Sequence, residues 1–172
     1  MSFQFSNDQL TAMDKICRQL LDTTPIGVHS LAVLTGAAGT GKTTVVGEII
    51  NRIKLHSPTL EIALCATTHR AAAVLSDIVN EPVFTGHALF KLRPGVTKYG
   101  KETLKKVGFC EIPFESVVII DEASMIGNKF LEAIVDIVRH RNLKVLFVGD
   151  PFQLPPPADT CSIFDGSLPT FQ

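Results

Sequence analysis

Gly36-Ala37-Ala38-Gly39-Thr40-Gly41-Lys42-Thr43 fits the pattern G-x-x-x-x-G-K-[ST] at every fixed position. Its flanks give the pattern its meaning. The preceding Leu31-Ala32-Val33-Leu34-Thr35 is short and apolar, as a buried parallel strand should be. Residues 42–53, which follow, read as a helix. In a strand–loop–helix unit the three glycines let the backbone bend around an anion and turn N–H groups inward. The helix start adds the positive end of its dipole. Lys42 supplies a mobile charge for the β- and γ-phosphates of a nucleotide, and Thr43 a hydroxyl for Mg²⁺. Thr44 directly follows and completes the candidate nucleotide-binding set Gly36, Ala37, Ala38, Gly39, Thr40, Gly41, Lys42, Thr43 and Thr44.

The rest of the composition bounds the problem. A chain of 172 residues suits one domain with a small insertion. At this size roughly 70% of the unfolded surface is buried on folding. The 45% hydrophobic content agrees with an α/β domain, and no apolar run is long enough to span a membrane. The polar N-terminus lacks a signal-peptide pattern. Cys17, Cys65, Cys110 and Cys161 form no C-x-x-C pair, so they read as reduced thiols of a cytoplasmic protein (or of the host-cell cytoplasm for a phage-encoded chain), with Cys65 in the core. The net charge of −1 implies no polyanionic partner, but Lys91, Arg93, Lys98, Lys101, Lys105 and Lys106 form a basic stripe opposed only by Glu102.

Periodicity sets out the elements. Leu10, Met13, Ile16 or Cys17, and Leu20 recur at helical spacing in residues 6–21, and Ser6 with Gln9 forms a capping-box pattern. Pro25 and Gly27 mark a turn into the first strand. Residues 60–66 read as a strand, 68–79 as a helix with Val74, Leu75 and Ile78 apolar, 83–85 as a short strand and 86–92 as a short helix. Residues 93–115, with Pro94, Gly95, Gly100, Gly108 and Pro113, read as a hairpin-like insertion. Val117-Val118-Ile119-Ile120 is a buried strand ending at Asp121. Asn128 is placed to cap a helix running to about His140, and residues 143–148 form another strand ending at Gly149-Asp150. The proline-rich tail from Pro151 reads as irregular. Alternating strands and helices predict a mainly parallel sheet covered on both faces.

Ligands bind such sheets beyond the carboxyl ends of the strands. The phosphate loop, Asp121-Glu122 and Gly149-Asp150 all fall at that edge. Asp121 offers a carboxylate oxygen to Mg²⁺, and Glu122, one position on, could take a proton from an attacking water.

Asp121-Glu122-Ala123-Ser124 together with Gly149-Asp150-Pro151-Phe152-Gln153-Leu154-Pro155-Pro156 resembles motifs II and III of superfamily 1 helicases. More narrowly, the chain is similar to the RecD/Dda-like branch. Ala66-Thr67-Thr68-His69-Arg70-Ala71-Ala72 resembles its motif Ia, Thr85-Gly86-His87-Ala88-Leu89 its motif Ib, and Phe5-Ser6-Asn7-Asp8-Gln9-Leu10 its leading glutamine motif. The likeness runs from about Phe5 to about Phe164, with order and spacing intact. It implies a P-loop NTPase of RecA-like fold over residues 1–172, with a pin-like insertion at about 93–115. It also implies ATP and Mg²⁺ as ligands, and single-stranded DNA and duplex junctions as partners in replication, repair or recombination.

Position by position, the resemblance implies that Gln9 contacts adenine, Lys42 and Thr43 hold phosphate and metal, Asp121 binds metal, and Glu122 activates water. Gln153 would sense the γ-phosphate, and Thr68, His69 and His87 would lie along the strand path. Two positions depart from the family: Thr67 stands where proline is usual, and Gly86 where an aliphatic residue is usual. Gln9 also has a structural reading as the partner of Ser6. Tyr99 or Phe109 could stack on a base. The last arginine, Arg141, precedes motif III, so nothing after Gln153 supplies an arginine to the γ-phosphate. The expectation is a first motor domain alone, its second RecA-like domain absent. One alternative is a ring-forming PhoH-like ATPase in which Arg139 or Arg141 reaches a neighbouring copy. Another is a non-enzymatic nucleotide- or DNA-binding module.

Overall fold

A computed structural model describes residues 4–23, 30–96, 98, 102–153, 161, 163–165, 168 and 170–171. Its centre is β6 (Val117–Asp121), whose five residues are all buried because strands flank it on both sides. The sheet has the order β3-β2-β6-β7-β1-β8, and every pairing in it is parallel. The other strands are β1 (Leu31–Thr35), β2 (Ile62–Ala66), β3 (Phe84–Thr85), β7 (Lys144–Gly149) and β8 (Thr170–Phe171).

Alternation along the strands divides the core into two layers. Val117, Ile119, Leu146 and Val148 face a cluster with Met13, Ile16, Ile49 and Leu75 from α1 (Asn7–Leu21), α2 (Lys42–His56) and α3 (His69–Val79). Val118, Ile120, Val145 and Phe147 face Phe90, Ile112, Phe130 and Ile134 on the opposite side, where α4 (Gly86–Leu89) and α5 (Asn128–Arg141) lie. The sheet is therefore covered on both faces, as the β-branched runs imply.

Local chemistry sets the helix ends. The Ser6–Gln9 capping box is formed at α1. Thr68 caps α3 through its side chain, and Asn80 and Asn142 end α3 and α5 in the left-handed region with φ of 53° each.

The hairpin-like insertion is present. β4 (Leu92–Val96) and β5 (Glu102–Lys106) pair antiparallel, with Arg93 opposite Lys105 and Pro94 opposite Leu104. Leu104 packs on the second core layer, so Arg93 and Lys105 share the other face of the ribbon. Gly95 leaves space for the Lys105 side chain to lie across it: a Cβ there would stand 3.2 Å from Lys105 Cε. Tyr99, Gly100, Lys101, Pro25, Gly27 and Leu154-Pro155-Pro156 lie outside the described residues.

Two expectations, the cap at Asn128 and the irregular tail, need correction, and in α1 and α3 the buried face is narrower than the apolar set. Asn128 is the first residue of α5 rather than its cap, since Gly127 holds the cap position without a side-chain bond. Leu10 is 37% exposed, because α1 buries Ala12, Met13, Ile16, Cys17 and Leu20 instead. Val74 and Ile78 are about half exposed, leaving Ala72 and Leu75 as the buried residues of α3. The tail is not wholly irregular, because Thr170 and Phe171 add a strand beside Val33 and Leu34.

Gly149 is a crowded point of the sheet edge. A Cβ there would stand 2.8 Å from Phe164 Cζ, 3.2 Å from Ser124 N and 3.3 Å from Ala123 N. Gly149→Ala is expected to cost about 1–3 kcal/mol through overpacking, read as a lower urea midpoint with an unchanged slope.

Candidate nucleotide site at the carboxyl edge of the sheet

The parallel register brings the predicted residues together. Thr35 lies opposite Gly149, Ile120 opposite Phe147, and Ala66 opposite both Asp121 and Thr85. Walking along this edge one meets the segment after β3 with His87, the segment after β2 with Thr68 and His69, then Asp121-Glu122, Gly149-Asp150 and the phosphate loop.

The loop conformation depends on its glycines. Gly39 and Gly41 have φ of 78° and 80°, a region that side chains strain to enter. A Cβ on Gly36 would stand 2.7 Å from Thr40 Oγ1. The Gly36 amide donates to Gly149 O at 3.3 Å, tying the loop to β7. Lys42 Nζ donates to Gly36 O at 2.8 Å and to Ala37 O at 3.0 Å. The ammonium is thus held on the loop by two neutral carbonyls, partners that an anionic oxygen would outcompete. Thr40 Oγ1 donates to Ala37 O at 2.8 Å, closing the turn. Ala38 is exposed, while Thr43 and Thr44 are half-buried in the first turn of α2. That turn has Gly41 as its cap and no side-chain cap bond.

Gln9 serves the loop as well as its own helix. Its Oε1 accepts from Ser6 N at 2.9 Å, and its Nε2 donates to Thr40 O at 3.2 Å. The same side chain thus closes the cap and borders the neighbouring cavity. That cavity, about 430 Å³, is bounded by Ser6, Gln9, Thr40, Lys42, Pro151 and Phe152, within the range of small-molecule sites. A slightly larger cavity of about 470 Å³ lies at the other end of the strands, lined by Asp22, Glu61, Asn142 and Lys144 among others. It contains none of the predicted site residues, and size alone does not make it the site.

Asp121 is buried, and its Oδ1 accepts from Glu122 N at 2.9 Å. Burial pushes its carboxyl above the usual carboxylate range; the Glu122 amide and the Lys42 charge oppose the shift, and the Glu122 carboxylate adds to it. Neighbouring Cys65 is fully buried, and burial together with the Asp121 charge pushes its thiol up. Glu122 sits in the left-handed region with φ 54°. Its carbonyl accepts from Thr67 Oγ1 at 3.1 Å, and Thr67 N donates to Asp121 O at 3.3 Å. Ser124 Oγ donates to Gln153 Oε1 at 3.1 Å, joining motif II to motif III. Asp150 orders the latter, accepting from Phe152 N at 3.0 Å and, through its carbonyl, from Gln153 N at 3.1 Å.

The residues expected along a strand path divide by environment. Thr68 and His69 are exposed, with Thr68 Oγ1 accepting from Ala71 N at 3.1 Å. His87 is half-buried and stacks on Phe130 with centroids 4.5 Å apart and planes 17° apart; burial lowers its pKa. Phe130 also explains the departure at Gly86, where a Cβ would meet its Cζ at 3.1 Å. Arg141 is committed within the chain. Its Nη1 donates to Ile112 O at 2.6 Å, and its guanidinium lies 5.0 Å from the Phe114 ring centroid.

Three features at this edge were missed in the sequence. Phe152 is 93% exposed at the cavity mouth; its place beside Gln153 was the available signal. Asp8 also lines the cavity, and only its proximity to Gln9 hinted at that. The role of the Thr67 hydroxyl had no signal beyond the residue being out of pattern.

A model of the AAA domain family matches residues 4–163. The chain belongs to that family. Its first motor-domain resemblance also holds: it is 34% identical over 128 residues to the ATP-dependent RecD2 DNA helicase of Deinococcus radiodurans, covering 74% of this chain and 16% of that protein. It is 31% identical over 147 residues to the RecBCD enzyme subunit RecD of Mycolicibacterium smegmatis, covering 73% of this chain and 26% of that protein. The crystal structure of Pif1 helicase from Candida albicans has the same fold, with a TM-score of 0.61 and 18% identity over 99% of this chain and 40% of that one. This AAA domain thus spans well under half the length of these relatives. They do not favour a PhoH-like ring or a non-enzymatic module. Among the described residues no helix is long and apolar enough to cross a membrane.

The raised Asp121 carboxyl has a stability consequence. Between the ordinary carboxylate pKa and the raised native value, the unfolded chain releases a proton that the native chain keeps. Native stability therefore falls as pH rises through that window and stays lowered above it. Asp121→Asn keeps an acceptor for the Glu122 amide and removes this penalty. Its thermal midpoint is expected to exceed that of the parent chain at pH 7, the difference shrinking towards pH 4.

Proposed function

We propose that this chain is the nucleotide-hydrolysing first motor domain of an ATP-dependent DNA helicase, one that couples ATP hydrolysis to movement along single-stranded DNA and duplex unwinding. The observation that carries the reading is the sharing of one sheet edge: the phosphate loop, Asp121-Glu122 and Gln153 stand at or beyond the carboxyl ends of β1, β6 and β7, and the candidate strand-path residues follow the adjacent β2 and β3.

The donor set suits Mg²⁺ bound with a nucleotide. Asp121 offers one buried carboxylate and Thr43 one hydroxyl. Among the described residues no group of three or more His, Cys, Asp or Glu could hold a metal. Phosphate and water oxygens would complete the hard-cation shell. When bound, Mg²⁺ neutralises charge developing on the transferred phosphoryl group.

The protein's own residues do the rest. Lys42 exchanges its two loop carbonyls for β- and γ-phosphate oxygens. The amides of Gly36 to Thr44 surround the phosphates, and Gln9 with Phe152 borders the adenine. Glu122 accepts a proton from the attacking water. Gln153, oriented by Ser124, reports the γ-phosphate. Thr68, His69 and His87 face the strand, and the ribbon of 93–115 acts as the duplex-splitting pin, its paired Arg93 and Lys105 facing phosphates. The second RecA-like domain of the intact protein supplies the missing arginine, so turnover by this chain alone is slow.

Two variants separate binding from chemistry. Lys42→Ala is expected to weaken binding of a fluorescent Mg-ATP analogue at least tenfold. Glu122→Gln should bind normally, with single-turnover hydrolysis slowed on the order of 10²- to 10³-fold. Equal hydrolysis by Glu122→Gln and the parent chain would refute the assignment. For DNA, log affinity against log salt should fall by about 0.7 per phosphate contact, and Arg93→Ala with Lys105→Ala should make that slope shallower.

A further inference from the structure

We infer that Thr67 is a positioning residue for Glu122, holding the peptide from which the proposed water-activating carboxylate projects. The inference rests on the hydrolase reading above and adds a residue to it.

Glu122 turns sharply out of β6 with φ 54°. A residue in this region is held there only by its surroundings. On its amide side, Asp121 Oδ1 accepts from Glu122 N at 2.9 Å. On its carbonyl side two donors converge: Met125 N at 3.2 Å, closing the 3-10 turn, and Thr67 Oγ1 at 3.1 Å, from a residue 55 positions away. The Met125 bond is local and moves with the turn. Thr67 is the anchor to a separate element, and its backbone amide holds Asp121 O at 3.3 Å as well. One residue thus grips the two peptide units that flank the Glu122 Cα.

This accounts for the departure at motif Ia. Proline has neither an N–H nor a hydroxyl, so it could make neither bond. Valine has nearly the shape of threonine and lacks only the hydroxyl, while serine retains it. Thr67 lines neither the phosphate loop nor the nucleotide cavity, so its loss should leave ground-state binding intact. Loss of fixed orientation at a reacting group lowers the chemical step specifically.

The test compares Thr67→Val and Thr67→Ser with the parent chain, using Mg-ATP affinity and single-turnover hydrolysis under excess protein. Thr67→Val is expected to bind the nucleotide within twofold of the parent and to hydrolyse it about tenfold more slowly, with Thr67→Ser restoring the rate. Hydrolysis by Thr67→Val at the parental rate overturns the inference, as does an equal loss in binding and rate. If the parent chain itself shows no turnover, the hydrolase reading fails. Amide exchange then decides the positioning claim separately: the Met125 amide, which shares the Glu122 carbonyl, should exchange at least tenfold faster in Thr67→Val than in Thr67→Ser. Equal exchange in the two variants overturns the claim.

Discussion

The parallel pairing of β1, β7 and β6 is the constraint on which the rest of this molecule depends. Their carboxyl ends are brought level by a register that sets Thr35 against Gly149 and Ile120 against Phe147. At Gly149 the Phe164 ring and the Ser124 and Ala123 amides then crowd in so closely that a side-chain carbon would stand 2.8 Å from the ring. From that junction the phosphate loop is tied to β7, the Asp121–Glu122 turn packs beside it, and Gln153 is brought back to Ser124. Hydrophobic burial on both faces supplies the stability. The register converts it into position.

At this edge polar groups are satisfied by one another in a way a ligand can replace. Lys42 rests on two loop carbonyls, and Gln9 divides its amide between its own helix cap and Thr40. Neither arrangement leaves a buried orphan, so the free protein carries little desolvation penalty there. Asp121 is the exception, since burial holds its carboxyl at a raised pKa. A metal cation beside it would reverse that penalty.

Much of this was legible because it is local. The glycine spacing of 36–43, the β-branched run of 117–120 and the helical periods of α1 and α5 each fit within one element, and alternation of elements dictated the parallel sheet. Errors arose where a partner lies elsewhere in the chain. Asn128 was displaced from the cap by one residue, a shift that composition cannot resolve. Thr170 and Phe171 are too few to show a period, and they become a strand only because β1 offers an edge. Gly86 departs from the family pattern where Phe130, 44 residues on, lies against it. Thr67 departs from it where its hydroxyl bonds the Glu122 carbonyl. The exposure of Phe152 depends on how the Asp150 turn projects it.

Among the described residues the two borders of the sheet are each two residues long: Phe84–Thr85 on one side and Thr170–Phe171 on the other. An open parallel sheet with long free borders invites another chain to add itself as a further strand. Here the outermost ladders are too short to template such addition, while the fully buried strands sit two or more positions inside on the β3 side. Among the described residues the borders thus offer little ladder to an incoming strand, and the polar groups of the molecule gather instead at the carboxyl edge.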